Sequence, residues 1–411
     1  MTEAERREFT GAAIAVVALC FLLNALARGL GETFAVFYRE FLDEFGWTRG
    51  QVSSIYSVFM IGIGVGGPLI GAAFDRLGGR VVYVGGLVAY GLGFLIASRM
   101  ETLWQAWLGL GALVGIGAAA TGMTPATGVL ARWFDRRLGF ATGVAYAGLA
   151  AGAMVLAPLS RILIDTGGWR WAYQCFGLAM LGLAAVILIL PWGRIGQGAV
   201  VRLSPRPMAF KLRWKYLVSA PFWGMSVVFF SASAATYAVQ VQAVVYLEEA
   251  GYAPLAASFI FGLTSFVALI GIVASGWLAD RFGRRSIATA TFTGSIVGVL
   301  ALAALGATGP NLALLAVFLL GFGGGLGSRG PIVSSLVARL FPGQVGAVFG
   351  AIMIGMGLGG AFGAWVAGWL HELTGGYIAG FSVVIVAMML GMAQFWLIEE
   401  LRTGRWRQER A

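Results

Sequence analysis

Charge is what this chain has little of. Asp, Glu, Lys and Arg together make up 11% of its 411 residues, against about 25% in a soluble domain. With 59% of residues hydrophobic, a water-exposed globular surface is excluded. Histidine occurs once, as His371 near a helix end, which excludes a histidine-based metal centre. Cys20 and Cys175 each stand alone in an apolar segment, so neither a disulfide nor a thiolate site is expected. No nucleotide-binding motif occurs, so any work this chain does must run on a gradient. No cofactor or metal is expected.

What the chain has instead is apolar stretches of about 20 residues, the length that crosses a bilayer core. They fall at 12–38, 50–73, 80–98, 103–130, 138–163, 170–191, 216–247, 254–278, 285–306, 311–338, 346–370 and 377–398. The expected class is an all-α integral membrane protein of twelve transmembrane helices. Placing both termini in the cytoplasm puts 21 of the 28 basic residues on the cytoplasmic side, as the positive-inside rule requires. Five (Arg39, Arg49, Arg99, Arg161 and Arg170) fall on the opposite side, and Arg28 and Arg329 fall within helices. The net charge of +10 therefore reads as topology rather than as a nucleic-acid surface. Arg6 and Arg7 before an apolar run that ends near Ala25-Leu26-Ala27 resemble a signal peptide, but the repeat described next needs that first helix.

The chain repeats itself at an offset of about 206 residues. "GAAFDRLGGR" at 71–80 matches "GWLADRFGRR" at 276–285, and "VLARWFDRRLGFATGVAYAG" at 129–148 matches "LVARLFPGQVGAVFGAIMIG" at 336–355. Two parallel six-helix bundles follow, 1–191 and 216–411, joined by a basic, proline-bearing cytoplasmic linker at 192–215. Parallel halves of this kind suit a carrier that rocks about a central site.

The spacing Gly71-x3-Asp75-Arg76-x-Gly78-x-Arg80, with its second copy Gly276-x3-Asp280-Arg281-x-Gly283-Arg284-Arg285, resembles the loop motif of the major facilitator superfamily. The first copy has Gly79 where a basic residue is usual. The resemblance covers essentially the whole chain. It implies that Gly71, Asp75, Arg76, Arg80, Gly276, Asp280, Arg281 and Arg284 form a cytoplasmic gate, and that the protein is a monomer. Physically, glycines let helix ends approach, the aspartate can face a helix N-terminus, and the arginines can bind acids or lipid phosphates.

Four further stretches narrow the resemblance: "EFGWTRGQVSSIYS" (44–57), "ARWFDRRLGFATG" (131–143), "APLSRILIDTGGWRWAY" (157–173) and "SRGPIVSSLVARLF" (328–341). Together they are similar to the bacterial monocarboxylate-porter branch, which includes the oxalate:formate antiporters. Porters of that branch commonly carry a basic residue in the eighth helix, and the oxalate antiporters another in the eleventh. Here 254–278 and 346–370 contain no Lys or Arg, which argues against oxalate exchange. The Gly-Pro pair that marks drug/proton antiporters is missing from "GLAAGAMVLAP" (148–158).

Arg329 is the leading site candidate. Counted from about residue 311, it lies roughly 18 residues into its helix, slightly past the midplane at ~1.5 Å per residue. A lone arginine at such depth costs at least ~2.5–3.5 kcal/mol, so it needs a partner. Glycines at 321, 323, 324, 325, 327 and 330 surround it and Pro331 follows. These predict a break near 327–330, with a half-helix starting at Pro331 whose N-terminal amides would favour an anion. "TGMTPATG" (121–128), with Pro125, repeats the signal in the first half. A structural contact to helix-end carbonyls is the plainer alternative for Arg329.

Asn24, Arg28 and Glu32 recur at i, i+4, i+8 and form a polar stripe on the first helix. Arg28 is a second anion candidate or a structural partner of Glu32, and Glu32 is the candidate proton carrier. On the seventh helix Ser226, Phe230, Ser233, Tyr237 and Gln240 recur at helical spacing, with Tyr237 and Gln240 as candidate hydrogen-bond partners for substrate. Tyr146, Phe34, Phe37 and Tyr38 are candidate apolar walls, and Gln51 and Ser54 candidate gating or capping residues.

The expected function is a secondary transporter of a small organic anion, a monocarboxylate, by alternating access in a bacterial inner membrane. Its partners would be that anion, protons if coupled, and membrane lipids, with no nucleic acid. Export of amphipathic or drug-like compounds is the alternative, and a neutral-sugar carrier is disfavoured by the scarcity of polar helix residues. Membrane enzymes are excluded by the lack of a reactive cluster.

Overall fold

The computed structural model describes residues 11–134, 138–197, 214–341 and 345–403. Helices occupy nearly all of them, and among the described residues there are no strands. In chain order the helices of the first half are α1 (Gly11–Glu32), α2 (Phe34–Phe45), α3 (Arg49–Ala97), α4 (Leu103–Ala106), α5 (Val114–Thr121), α6 (Met123–Trp133), α7 (Leu138–Ile189) and α8 (Trp192–Gln197). Those of the second half are α9 (Trp214–Leu217), α10 (Ala220–Gln240), α11 (Ala243–Glu249), α12 (Pro254–Phe282), α13 (Arg284–Thr308), α14 (Leu312–Phe318), α15 (Arg329–Leu340), α16 (Val345–Thr374), α17 (Ile378–Leu397) and α18 (Glu399–Thr403). π-helical turns at Trp107–Leu113 and Leu319–Gly323 interrupt the fourth and tenth spans.

Nine helices among the described residues are long and apolar enough to cross a membrane, and two of those stretches run for 49 residues. At ~1.5 Å per residue each of the two exceeds twice the ~30 Å hydrocarbon thickness, so each is two crossings. The corners are single glycines, Gly78 (φ 80°) in α3 and Gly168 (φ 81°) in α7. Counting both as double and adding the broken stretch from Leu312 to Leu340 gives the twelve-helix plan.

The repeat is written into the backbone. Left-handed glycines pair at Gly46 and Gly251, Gly78 and Gly283, and Gly168 and Gly375, each pair 205 or 207 positions apart. A side chain pays ~1–2 kcal/mol in that region, which is why glycine holds these corners. Close helix crossings repeat as well. A Cβ added at Gly152 would collide with the carbonyl of Ala25, and one at Gly359 with the carbonyl of Phe230. Thus α1 packs backbone-to-backbone on α7, and α10 does the same on α16.

By packing, the chain divides into one unit of Met1–Phe34 and Ile61–Pro207 and a second of Ala35–Met60 and Met208–Ala411. Residues 35–60, which the sequence boundary groups with the first bundle, therefore pack within the second unit.

Candidate functional site

The tenth span breaks close to where its glycines and proline predict. After the π-helical turn, residues 326–328 form a turn with Gly327 at φ 69°. The next helix starts at Arg329 with Ser328 as its N-cap residue, not at Pro331. Pro331 sits instead at the third helical position, still within the first turn, where its missing N–H costs nothing. The fourth span copies this: α5 ends at Thr121, Gly122 is extended (φ −83°, ψ −154°), and Pro125 takes the third position of α6.

Arg329 is 4% exposed. Its Nη1 donates to the carbonyl of Gly325 at 2.5 Å, and its Nη2 to the carbonyl of Thr291 (2.9 Å) and to Ser295 Oγ (2.8 Å). The Phe292 ring lies over the guanidinium, 4.4 Å from its carbon. The Nε hydrogen finds no acceptor, and among the described residues no carboxylate pairs with Arg329. Three of its neighbours thus come from α13, and the charge itself is left uncompensated.

In the first unit, Arg28 Nε meets Glu32 Oε1 at 2.6 Å, with Glu32 buried. Asn24 continues the stripe: its Nδ2 donates to the Cys20 carbonyl (2.7 Å), and its buried Oδ1 accepts nothing. Tyr90 Oη donates to the Ala27 carbonyl (2.7 Å), fixing the third span against this part of α1. Phe34 is buried, whereas Tyr146 is 49% exposed.

In the second unit, Tyr237 and Gln240 are both buried on α10. Tyr237 stacks obliquely on Tyr56 at 5.5 Å. Gln240 Oε1 and Ser233 Oγ are buried without hydrogen-bond partners, while Ser226 is spent on the carbonyl of Phe222. Sequence reasoning missed Gln242, which sits at the break between α10 and α11 with both amide atoms buried and unpartnered. The repeat did not signal it, because at an offset of about 206 Gln242 aligns with Val36, three residues past the break at Thr33. Phe37 and Tyr38, read as walls, are fully enclosed, and Tyr38 Oη is held by the Arg49 carbonyl and Ser53 Oγ, both at 2.8 Å. Gln51 proves to be a cap: it and Thr48 exchange side-chain to backbone hydrogen bonds at the start of α3.

A charged cluster that the sequence did not disclose also lies within the second unit. Arg49 Nη2 meets Glu249 Oε1 at 2.5 Å, and Arg49 Nη1 donates to Tyr377 Oη at 2.6 Å. Tyr377 Oη donates in turn to Glu249 Oε2 at 2.8 Å, closing a triangle. Burial holds the Tyr377 phenol well above its ordinary range despite the nearby guanidinium, so it stays a donor. Beside it Arg39 pairs with Glu248 at 3.2 Å.

Of the gate motif, Asp75, Arg76, Arg80 and Arg281 are exposed and Gly71 is half-buried. Arg284 Nε donates to Ser335 Oγ at 3.2 Å, linking the start of α13 to α15. Gly276 and Asp280 lie on α12, the Asp280 side chain being outside the described set.

The chain matches the Major Facilitator Superfamily over residues 17–331. It is 30% identical over 379 residues to monocarboxylate transporter 13 of Rattus norvegicus, covering 92% of this chain and 86% of that protein. It is 27% identical to monocarboxylate transporter 11 of Mus musculus, covering 90% and 83%. Among solved structures, the inward-open xylose transporter XylE from E. coli superposes with a TM-score of 0.73 at 12% identity, over 93% of this chain and 95% of that one. A bacterial homologue of the lysosomal transporter Spinster, inward-facing and occupied, gives 0.70 at 15% identity, over 97% and 99%. Fold, internal repeat and family match agree: the chain belongs to the major facilitator superfamily, as a multi-pass membrane transporter resembling the monocarboxylate porters and not an enzyme.

Proposed function

We propose that the chain carries a small organic anion, a monocarboxylate, across its membrane by alternating access, and that Arg329 anchors the anion. One observation supports this above the others: a buried guanidinium at a helix break with no carboxylate partner among the described residues. Burying an uncompensated charge is costly, and an anion that arrives there relieves the cost. The similarity to monocarboxylate transporters 13 and 11 points to the same substrate class. Arg28 is the weaker anchor, because Glu32 already neutralises it at 2.6 Å.

Under this reading the two bundles, 1–191 and 216–411, are the bodies that rock, and 192–215 is the tether between them. Binding lowers the net charge at Arg329 and lets the halves close over a neutral pair; opening on the far side releases the anion. Tyr237, Gln240, Tyr146 and Phe34 line the path, and the motif around Asp75 and Arg281 latches the side that the positive-inside rule assigns to the cytoplasm. Glu32 takes the proton when a carboxylate draws Arg28 away, leaving a buried acid for which protonation removes the charge.

The test is ligand-induced thermal stabilisation of the purified protein with short and aromatic monocarboxylates, dicarboxylates, sugars and lipophilic cations. A ligand of the folded state raises stability as RT ln(1 + [L]/Kd). Stabilisation confined to carboxylates, and lost in Arg329→Gln, supports the reading. A response to sugars or lipophilic cations with silence from every anion overturns it.

A further inference from the structure

We propose that Ser295 is a positioning residue that sets anion affinity, because its hydroxyl and the substrate carboxylate compete for Nη2 of Arg329. The inference rests on the reading of Arg329 as the anion anchor and adds how that anchor is loaded.

A guanidinium has five N–H bonds in one plane. It offers a carboxylate two forks, Nε with Nη2 and Nη1 with Nη2, and each fork uses an Nη2 hydrogen. In Arg329 Nη2 already donates to two acceptors, the Thr291 carbonyl and Ser295 Oγ, so neither fork is free. Phe292 lies over the guanidinium face, so an anion approaches in the plane. What remains is Nε, buried without an acceptor, together with one Nη1 hydrogen on the other arm. Nε is therefore the hydrogen that an anion can take, once the site opens to it, without displacing a protein acceptor, and a two-point grip requires one partner of Nη2 to leave.

The cheaper of the two occupants to displace is Ser295. Thr291 O is a helix carbonyl fixed by the backbone of α13. Ser295 Oγ is a rotor that already donates to that same carbonyl at 2.9 Å, so it keeps a hydrogen bond when the guanidinium leaves it. The close fit is built in from the facing helix as well. A Cβ at Gly325 would run into Ser295 Oγ and stand 3.3 Å from Arg329 Nη2, so glycine there permits the contact. The first carboxylate oxygen lands on Nε, the second takes the place of Ser295 on Nη2, and the fork closes.

The experiment titrates acetate, propionate, butyrate and benzoate against purified wild-type protein, Ser295→Ala, Ser295→Thr and Arg329→Gln, reading both Kd and the melting temperature without ligand. Removing the competitor is expected to tighten carboxylate binding about three- to tenfold, the span of one ordinary hydrogen bond. The ligand-free melting temperature is expected to fall in the same variant, because the clasp between α13 and α15 is weakened. Ser295→Thr keeps the hydroxyl and is expected to restore both. A purely structural Ser295 would lower stability and affinity together, so the opposite signs are the signature. Should Ser295→Ala fail to fold, Ser295→Cys, with its weak acceptor, replaces it and is expected to shift Kd in the same direction. Unchanged or weaker binding in these variants, with binding lost in Arg329→Gln, overturns the competition and leaves the anchor standing. Wild-type binding in Arg329→Gln, or no stabilisation of wild type by any of the four acids, overturns the anchor and the competition with it.

Discussion

Arg49 and Glu249, 200 residues apart in sequence, meet at 2.5 Å at the start of α3 and the end of α11, and Tyr377 bridges them. Tyr38 Oη donates to the carbonyl of the same Arg49 and is hydrogen-bonded to Ser53 Oγ. The ends of the first and second spans are thereby tied to residues of the second half, all inside one packed unit.

Arg49→Ala is expected to loosen this tie. A partly exposed ion pair contributes up to ~1 kcal/mol, which is about a fivefold change in population. Ser57, about two turns further along α3 and donating to the Ala361 carbonyl at 2.7 Å, reports it. A thiol at Ser57→Cys should react faster with a water-soluble maleimide once Arg49 is removed. Equal labelling rates would show that the triangle does not hold that end shut.

Gly152→Ala and Gly359→Ala are expected to be alike in effect, because each places a methyl group against a carbonyl at the same crossing of its own half. Overpacking of this kind costs about 1–3 kcal/mol. Thermal melting of the two single variants checks it, and a harmless Gly152→Ala would mean that α1 and α7 separate more easily than their contact suggests.

Glu32→Gln is expected to abolish uptake driven by a proton gradient while leaving exchange of substrate for substrate intact. Proteoliposomes loaded with or without unlabelled anion separate the two modes. Undiminished proton-driven uptake would remove Glu32 from the coupling path.

Gln242→Met is expected to stabilise the protein and impair transport. Both amide atoms of Gln242 are buried without partners, and each such group costs about 1–3 kcal/mol. An amide buried at that cost is expected to find its partners in a ligand or in another conformation. Lower stability with unimpaired transport would show that the amide is satisfied where it stands.

What was legible in the sequence was whatever acts over a few residues or repeats at a fixed offset. The break in the tenth span could be read from its glycines and Pro331, although its helix begins at Arg329, because proline fits anywhere in a first turn. The Arg28–Glu32 pair could be read from i, i+4 spacing. The partners of Arg329 could not, since Thr291, Phe292 and Ser295 come from another helix and their register depends on how the glycine-lined faces of α13 and the tenth span mesh. Nor could the Arg49–Glu249–Tyr377 triangle, whose members come from three distant segments with no shared periodicity. Tyr38 shows the same limit: its ring has the spacing of a wall, but the partners of its hydroxyl, the Arg49 carbonyl and Ser53, depend on how the helices pack.

The corners at Gly78 and Gly168 have a practical consequence for anyone mapping this protein's topology. Each turns the chain from one crossing into the next within a single left-handed residue. An epitope tag, a protease site or a fused reporter needs slack on both sides to be displayed without pulling its neighbours into or out of the bilayer, and these corners have none. Small thiol reagents at single cysteine substitutions suit those faces.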